Sequence, residues 1–278
     1  MDHACHYRVD WRSARFHPGS HRSVHAGDGY EFMGHRPLHQ VGSARHIDIG
    51  ASLKDPHGQW QVRCFRQSSA IFVYLLADVS ASMLIPAKLD TLTRLANGLA
   101  RAAAHSGDAF GLLAADAVVR AELCRLPSQV QSGFEEWARQ AALIKPTAHS
   151  AQGLTELVAY TPHQRSLIFL ASDFHFPLRA VQHLSQTLAR HDVVPVVIWE
   201  PQNPDTWPDY RWVYWLDPES GKRRRYWMRP TLKTRIQAAY EERRQQLTTE
   251  FASRGRLPLF LSEPFSADAV TAYFYQGL

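Results

Sequence analysis

Cysteine is scarce in this chain and badly placed for cross-linking. Cys5, Cys64 and Cys124 are odd in number and never form a Cys-x-x-Cys pair. That excludes a disulfide framework or a zinc ribbon and predicts reduced thiols. Long apolar runs are absent as well: no stretch reaches the roughly eighteen uninterrupted apolar residues that a membrane span needs. The polar, histidine-bearing start has no apolar signal region, so the expectation is a soluble, cytoplasmic protein. Also missing are a Gly-x-Ser-x-Gly elbow, a P-loop, a Gly-x-Gly-x-x-Gly turn and a His-Glu-x-x-His helix, and the chain is expected not to be an enzyme. The charge excess is small, +5 over 278 residues, which argues against nucleic acid as the main partner.

What is present is enough apolar residue, 45%, to build one sizeable α/β domain with an appendage. The organising stretch is Ile71 to Met83, IFVYLLADVSASM. Its first half is apolar on both faces, as in a strand buried within a parallel sheet. Asp78, Ser80 and Ser82 then follow at alternate positions where the strand should end, and in open α/β sheets ligands sit at the carboxyl ends of strands. A second apolar run, Ser166 to Ala171, also ends in polar residues, Ser172 and Asp173. If the two strands are neighbours, two carboxylates face each other in a cleft and repel unless a proton or a metal lies between them. Carboxylate and hydroxyl oxygens suit a hard cation, Mg²⁺ or Mn²⁺. The plainer account is that Asp78 and the serines turn the chain and cap the next helix.

Residues 1–66 are distinct: they hold nine of the fifteen histidines and few aliphatic runs. His17, His21 and His25 recur every fourth residue, but Pro18, Gly19 and Gly27 argue against a helix. Solvated histidines on an irregular, β-rich arm are expected. The larger domain, 67–278, reads as alternating strands and helices. Helices are predicted over 86–105, 129–143, 151–160, 177–190, 231–253 and 267–275; strands are predicted over 110–115 and 118–123 as an edge hairpin, then 193–199 and 256–261. The alternation predicts a doubly wound, mostly parallel, Rossmann-like α/β sheet. Five of the eight tryptophans fall between 199 and 227, where two aromatic strands flank a turn at 217–221 and the basic run Lys222 to Arg225. That run reads as a charged hairpin tip rather than a phosphate track.

Asp-x-Ser-x-Ser after a buried strand, with an Asp after a later one, resembles the metal-ion-dependent adhesion site of von Willebrand factor A domains. The resemblance places Asp78, Ser80, Ser82 and Asp173 as ligands of Mg²⁺ or Mn²⁺. The stretch PTAHS, 146–150, stands where that family has Gly-Gly-Thr, which assigns the middle ligand to Ser150, with Thr147 as the alternative. The preceding segment GYEFMGHRPLHQVGSARHIDIGAS is similar to the one before the A-like domain in bacterial proteins associated with MoxR-type AAA+ ATPases. Arg36, Arg45, Ile47 and Asp48 match that pattern, whereas Val41, Gly42 and Ser43 replace its Gly-Asp-Asp. The resemblance implies a protein-interaction module whose partner donates an Asp or Glu to the metal, working with a MoxR-type ATPase or its client. Two alternatives compete. A phosphohydrolase of the haloacid dehalogenase type needs a second Asp two residues after the first, where this chain has Ser80. A structural protein with a degenerate metal loop is the other.

Overall fold

A computed structural model describes residues 5–13, 18–27, 31–41, 43–130, 132–144, 152–200, 207–216, 222–261 and 265–275. The chain divides into two compact units, and the segment before Arg8 belongs with the larger.

The smaller unit, Arg8–Ile71 with Ser106–Asp108, is built on three antiparallel strands. Strands β1 (Pro18–Gly27) and β2 (Glu31–Pro37) flank β3 (Gln61–Ser69). Helices α1 (Leu38–Val41) and α2 (Ile49–Leu53) lie between β2 and β3 in sequence. Asp48 caps α2 by accepting the Ala51 N–H at 3.0 Å. Its other oxygen accepts from Arg63 Nε at 2.7 Å and lies 3.0 Å from His35 Nε2. The Ala51 hydrogen bond, followed by those from His35 and Arg63, holds this carboxyl well below its ordinary range. Asp48 is thus a structural clamp of this unit.

His21 corrects the expectation of solvated histidines. Its Nε2 lies 2.7 Å from Asp108 Oδ2, and the ring is only 10% exposed. Asp108 is fully buried and its Oδ1 accepts the Ile71 N–H at 2.7 Å. A buried carboxylate needs donors on both oxygens, which recruits the histidine. His17 and the His25 side chain lie outside the described residues.

The larger unit is organised by a six-stranded sheet. In chain order its strands are β4 (Phe72–Asp78), β5 (Ala109–Ala115), β6 (Arg125–Ser128), β7 (Leu167–Ser172), β8 (Asp192–Ile198) and, after a separate hairpin, β11 (Leu259–Leu261). Their spatial order is β11-β8-β7-β4-β5-β6, and every pairing is parallel except β5 with β6. Strands β5 and β7 are buried at every position and β4 at all but its first, which explains their unbroken apolar runs.

Among the described residues, the α-helices that follow β4 in the chain are α3 (Pro86–Ser106), α4 (Phe134–Leu143), α5 (Gln152–Glu156), α6 (Leu178–Thr187), α7 (Pro230–Ala252) and α8 (Ala267–Tyr275). Successive strand residues point to opposite faces. Tyr74, Leu76, Ile168 and Leu170 pack in one core with Leu154, Val181, Leu184, Leu247 and Phe251 from α5, α6 and α7. On the opposite face Phe169 meets Phe274 of α8 with ring centroids 6.1 Å apart, and Phe110 meets Phe134 of α4 at 5.9 Å. Helices on both faces make the sheet doubly wound, as the sequence predicts.

The edge hairpin is shifted from its expected place. Residues 118–123 form a bend and a 3₁₀ turn (Ala121–Leu123), and the antiparallel edge strand is β6. Asp116 causes the shift: its carboxylate accepts the Val118 N–H at 3.0 Å and Arg120 Nη2 at 2.6 Å, closing a loop where a strand would run on. Helix α4 likewise begins at Phe134 rather than 129, behind Gly133 in the left-handed conformation. The hairpin of β9 (Trp212–Leu216) and β10 (Arg223–Trp227) forms its own antiparallel pair, and the turn predicted at 217–221 lies outside the described residues.

Candidate metal centre

From β4 the chain crosses to β5 on one side, and from β7 it crosses to β8 on the other, so the strand order reverses between β4 and β7. Ligands of open α/β sheets bind in the crevice at such a reversal, beyond the carboxyl ends of the strands. Asp78 ends β4 and Ser172 ends β7, with Ala77 paired to Ala171 in register. The fold therefore delivers Asp78 and Asp173 to the same crevice from adjacent strands.

Asp78, Ser80, Ser82 and Asp173 are all buried. Asp78 Oδ1 accepts the Ser80 N–H at 2.9 Å, and Oδ2 accepts the Ser172 hydroxyl at 2.6 Å. The Ser80 and Ser82 hydroxyl oxygens lie 3.3 Å apart. Ser80 also hydrogen-bonds to the Asp78 carboxylate and Ser82 to Asp173, so the four side chains touch in a continuous series across the two strand ends. Asp78 does not cap a helix, since α3 begins only at Pro86. Ser150 and Thr147 lie outside the described residues.

Burial, and then the charge of Asp173, push the Asp78 carboxyl up to about 6. Asp173 moves the other way. Burial alone would raise it, but the charges of His175 and Lys88 and hydrogen bonds from Lys88 and Ser82 hold it below its ordinary value. Two residues that sequence reasoning did not assign to the site, Lys88 and Ser172, explain this division. Lys88, buried in the first turn of α3, places Nζ 2.9 Å from Asp173 Oδ2. Ser172 donates to Asp78 and in turn accepts the Phe174 N–H at 3.0 Å. The anticipated clash of two acids is thus eased by an internal ammonium on one and a favoured proton on the other. A signal for Lys88 existed in the sequence: it shares the face of Thr91, Leu92, Leu95 and Leu99 at helical spacing, the side that α3 buries.

The loop after Asp173 is held rigid from outside. Phe174 adopts φ 51°, a strained conformation for an aromatic residue. Arg243 of α7 fastens it, with Nε and Nη2 donating to Phe174 O at 3.2 and 2.6 Å and Nη2 to Phe176 O at 2.5 Å. Trp199 Nε1 donates to Asp173 O at 2.8 Å, and its indole stacks on the His175 ring. On the β5 side Gly153 lets α5 approach the Asp116 loop so closely that an added Cβ would lie 2.4 Å from Asp116 O.

The donor set fits a hard cation in kind: two carboxylates with hydroxyl oxygens between them, and no sulfur or imidazole in the series. Among the described residues no three His, Cys, Asp or Glu side chains gather into a metal-holding cluster, so any cation here relies on the serines. Also among the described residues, no helix is long and apolar enough to cross a membrane.

The sequence matches the profile of a family described as "Protein of unknown function DUF58" over residues 40–247. No curated protein matches it. Among solved structures it is similar to a conserved hypothetical protein BatB from Bacteroides thetaiotaomicron, with a TM-score of 0.44 and 14% identity over 74% of this chain and 97% of that one. An aerotolerance-related membrane protein from Bacteroides fragilis gives a TM-score of 0.41 and 17% identity over 73% and 96%. A von Willebrand factor type A protein from Catenulispora acidiphila gives 0.34 and 15% over 51% and 36%. At these scores the likenesses carry no argument, and the fold assignment rests on the strand order.

Proposed function

The chain belongs to the DUF58 family, and on that premise we propose that it is a metal-ion-dependent protein-interaction module, not an enzyme. The observation that carries the reading is the continuous series Asp78, Ser80, Ser82 and Asp173 across two adjacent strand ends at the reversal of the sheet. These four residues would hold Mg²⁺ or Mn²⁺, with Ser150 or Thr147 as the remaining protein ligand. When bound, the cation supplies an electrophilic coordination position that a partner's Asp or Glu can fill. The chain's own residues do the rest: the serine hydroxyls add donors without adding charge, and Arg243 and Trp199 fix the Asp173 loop so that little ordering entropy is lost on capture.

The partner follows from the resemblance of segment 29–52: a MoxR-type AAA+ ATPase, or a client presented to it, in the cytoplasm. The test is capture of a purified MoxR-type ATPase from the same cell by wild-type protein in Mg²⁺, in chelator, and by Asp78→Asn. Capture in Mg²⁺ alone, lost in the variant, supports the reading, and equal capture in all three arms overturns it. Exposed His175 beside Asp173 is the imidazole on which a hydrolase reading would draw as base. Phosphoester turnover abolished by both Asp78→Asn and His175→Ala would replace the binding module with that enzyme.

A further inference from the structure

Lys88 stands in the place where a metal site should have no protein cation. Its side chain is 7% exposed and its ammonium lies 2.9 Å from Asp173, which is fully buried. Burying both ions is costly, and a lone lysine would not turn inward without that partner. The approach occupies Oδ2 of the one carboxylate that β7 contributes to the donor series, while Oδ1 receives the His175 N–H at 3.3 Å. A divalent ion brought to the same carboxylate would meet a positive charge at near-contact distance, where two cations repel strongly in a low-dielectric site. Lysine, unlike arginine, holds a compact charge on a flexible four-carbon stem and can withdraw without unfolding its helix.

We propose that Lys88 is the site's own removable cation: its ammonium and a divalent metal compete for Asp173, so the centre alternates between a lysine-closed state and a metal-loaded state with Lys88 released. The proposal rests on the metal-binding reading above and adds its regulation. In the closed state Asp173 is neutralised by the chain itself, which keeps the crevice folded when metal is scarce. Metal affinity is set by the difference between gaining the ion and losing the internal pair. Any partner that draws the ammonium away would raise metal affinity by the same factor that metal raises its own.

The experiment titrates Mn²⁺ into full-length wild type, Lys88→Met and Asp78→Asn, reading the loss of the free-ion paramagnetic signal. In parallel, wild-type lysines are acylated briefly with and without Mn²⁺, and the modified positions are read by mass spectrometry. The chain has only five lysines, so Lys88 is resolved from Lys54, Lys145, Lys222 and Lys233. The expected result is at least about tenfold tighter Mn²⁺ binding by Lys88→Met than by wild type, in the range of ordinary coupling between competing ligands. Labelling of Lys88 should rise severalfold with Mn²⁺ while the other lysines stay constant. If Mn²⁺ binds wild type and Lys88→Met equally and Lys88 labelling is unchanged, the lysine gate is wrong and the metal site stands. If neither protein binds Mn²⁺, the metal reading falls and takes the gate with it. Should Lys88→Met fail to fold, the labelling of wild type decides alone: a metal-dependent rise supports the gate, and Mn²⁺ binding without it refutes the gate.

Discussion

Replacing Asp78 with Asn should make the metal-free protein more stable near neutral pH and flatten part of its pH dependence. The folded chain pushes the Asp78 carboxyl up to about 6 from an ordinary 3.8, because the group is buried and faces Asp173. Two units correspond to about 3 kcal/mol between the protonation states. The folded state holds the proton more tightly than the unfolded one, so stability falls as pH rises from about 4 to about 6, and the full loss is present above that. About 2 kcal/mol of that loss falls between about pH 4.5 and about pH 7.5, a slope that asparagine, with no proton to lose, does not have. Against this stands one hydrogen bond. Asn keeps an oxygen for the Ser80 N–H, but its amide nitrogen meets the Ser172 hydroxyl that had donated to Oδ2, costing about 1 kcal/mol. At pH 7.5, where the full cost of about 3 kcal/mol applies, the net gain is therefore about 2 kcal/mol, at roughly 2–4 °C of melting temperature per kcal/mol for a chain of this size. Tryptophan fluorescence melts of both proteins in chelator at the two pH values measure it. The difference between variant and wild type cancels the titrating groups that do not interact with Asp78, leaving the Asp78–Asp173 pair. If Asp78→Asn is less stable at both pH values by the same amount, burial does not raise this carboxyl and the electrostatic account of the site is wrong.

Saturating Mg²⁺ should raise the melting temperature of wild type but not of Asp78→Asn, since about 2.7 kcal/mol accrues at a hundredfold excess over Kd when only the folded state binds. Arg243→Met should cost about 1–3 kcal/mol in denaturant titration, because the Phe174 and Phe176 carbonyls lose their guanidinium donors. It should also weaken Mn²⁺ binding by loosening the loop that carries Asp173. Gly153→Ala should destabilise by about 1–3 kcal/mol through the collision of its Cβ with the Asp116 carbonyl, read in the same titration. His191 is held neutral by burial and the nearby charges of Arg190 and Arg165, which lower it to about 4 from 6.5. Its contribution is complete above about pH 6.5 and is lost as pH falls toward 4, because the unfolded chain takes the proton first. His191→Gln should flatten the acid limb of the stability curve, and an unchanged limb would refute the assignment.

Much of the larger unit was legible in the sequence because its signals are local. A short run apolar on both faces and rich in β-branched and aromatic residues, Ile71 to Ala77, reads as an interior strand, and the switch to Asp78, Ser80 and Ser82 marks its carboxyl end. Helices over 86–105 and 267–275 follow from apolar spacing, and α8 has the predicted bounds. Two acids at the ends of two such strands were enough to suggest a shared site once parallel neighbours were assumed.

Long-range pairing decided the rest. Helical spacing puts Lys88 on the face that α3 buries, but which charge it meets there is decided only by the seating of Asp173, eighty-five residues further along. His21 reads as one of many solvated histidines until the carboxylate of Asp108 is buried beside it. The edge strand at 125–128 replaced the predicted one at 118–123 because Asp116 and Arg120 close a loop that no hydrophobic pattern records. Periodicity tells a chain which residues to bury and in what local shape. It carries no record of which charge each buried charge will meet, and here that is what sets the protonation of Asp78 and the cation beside Asp173.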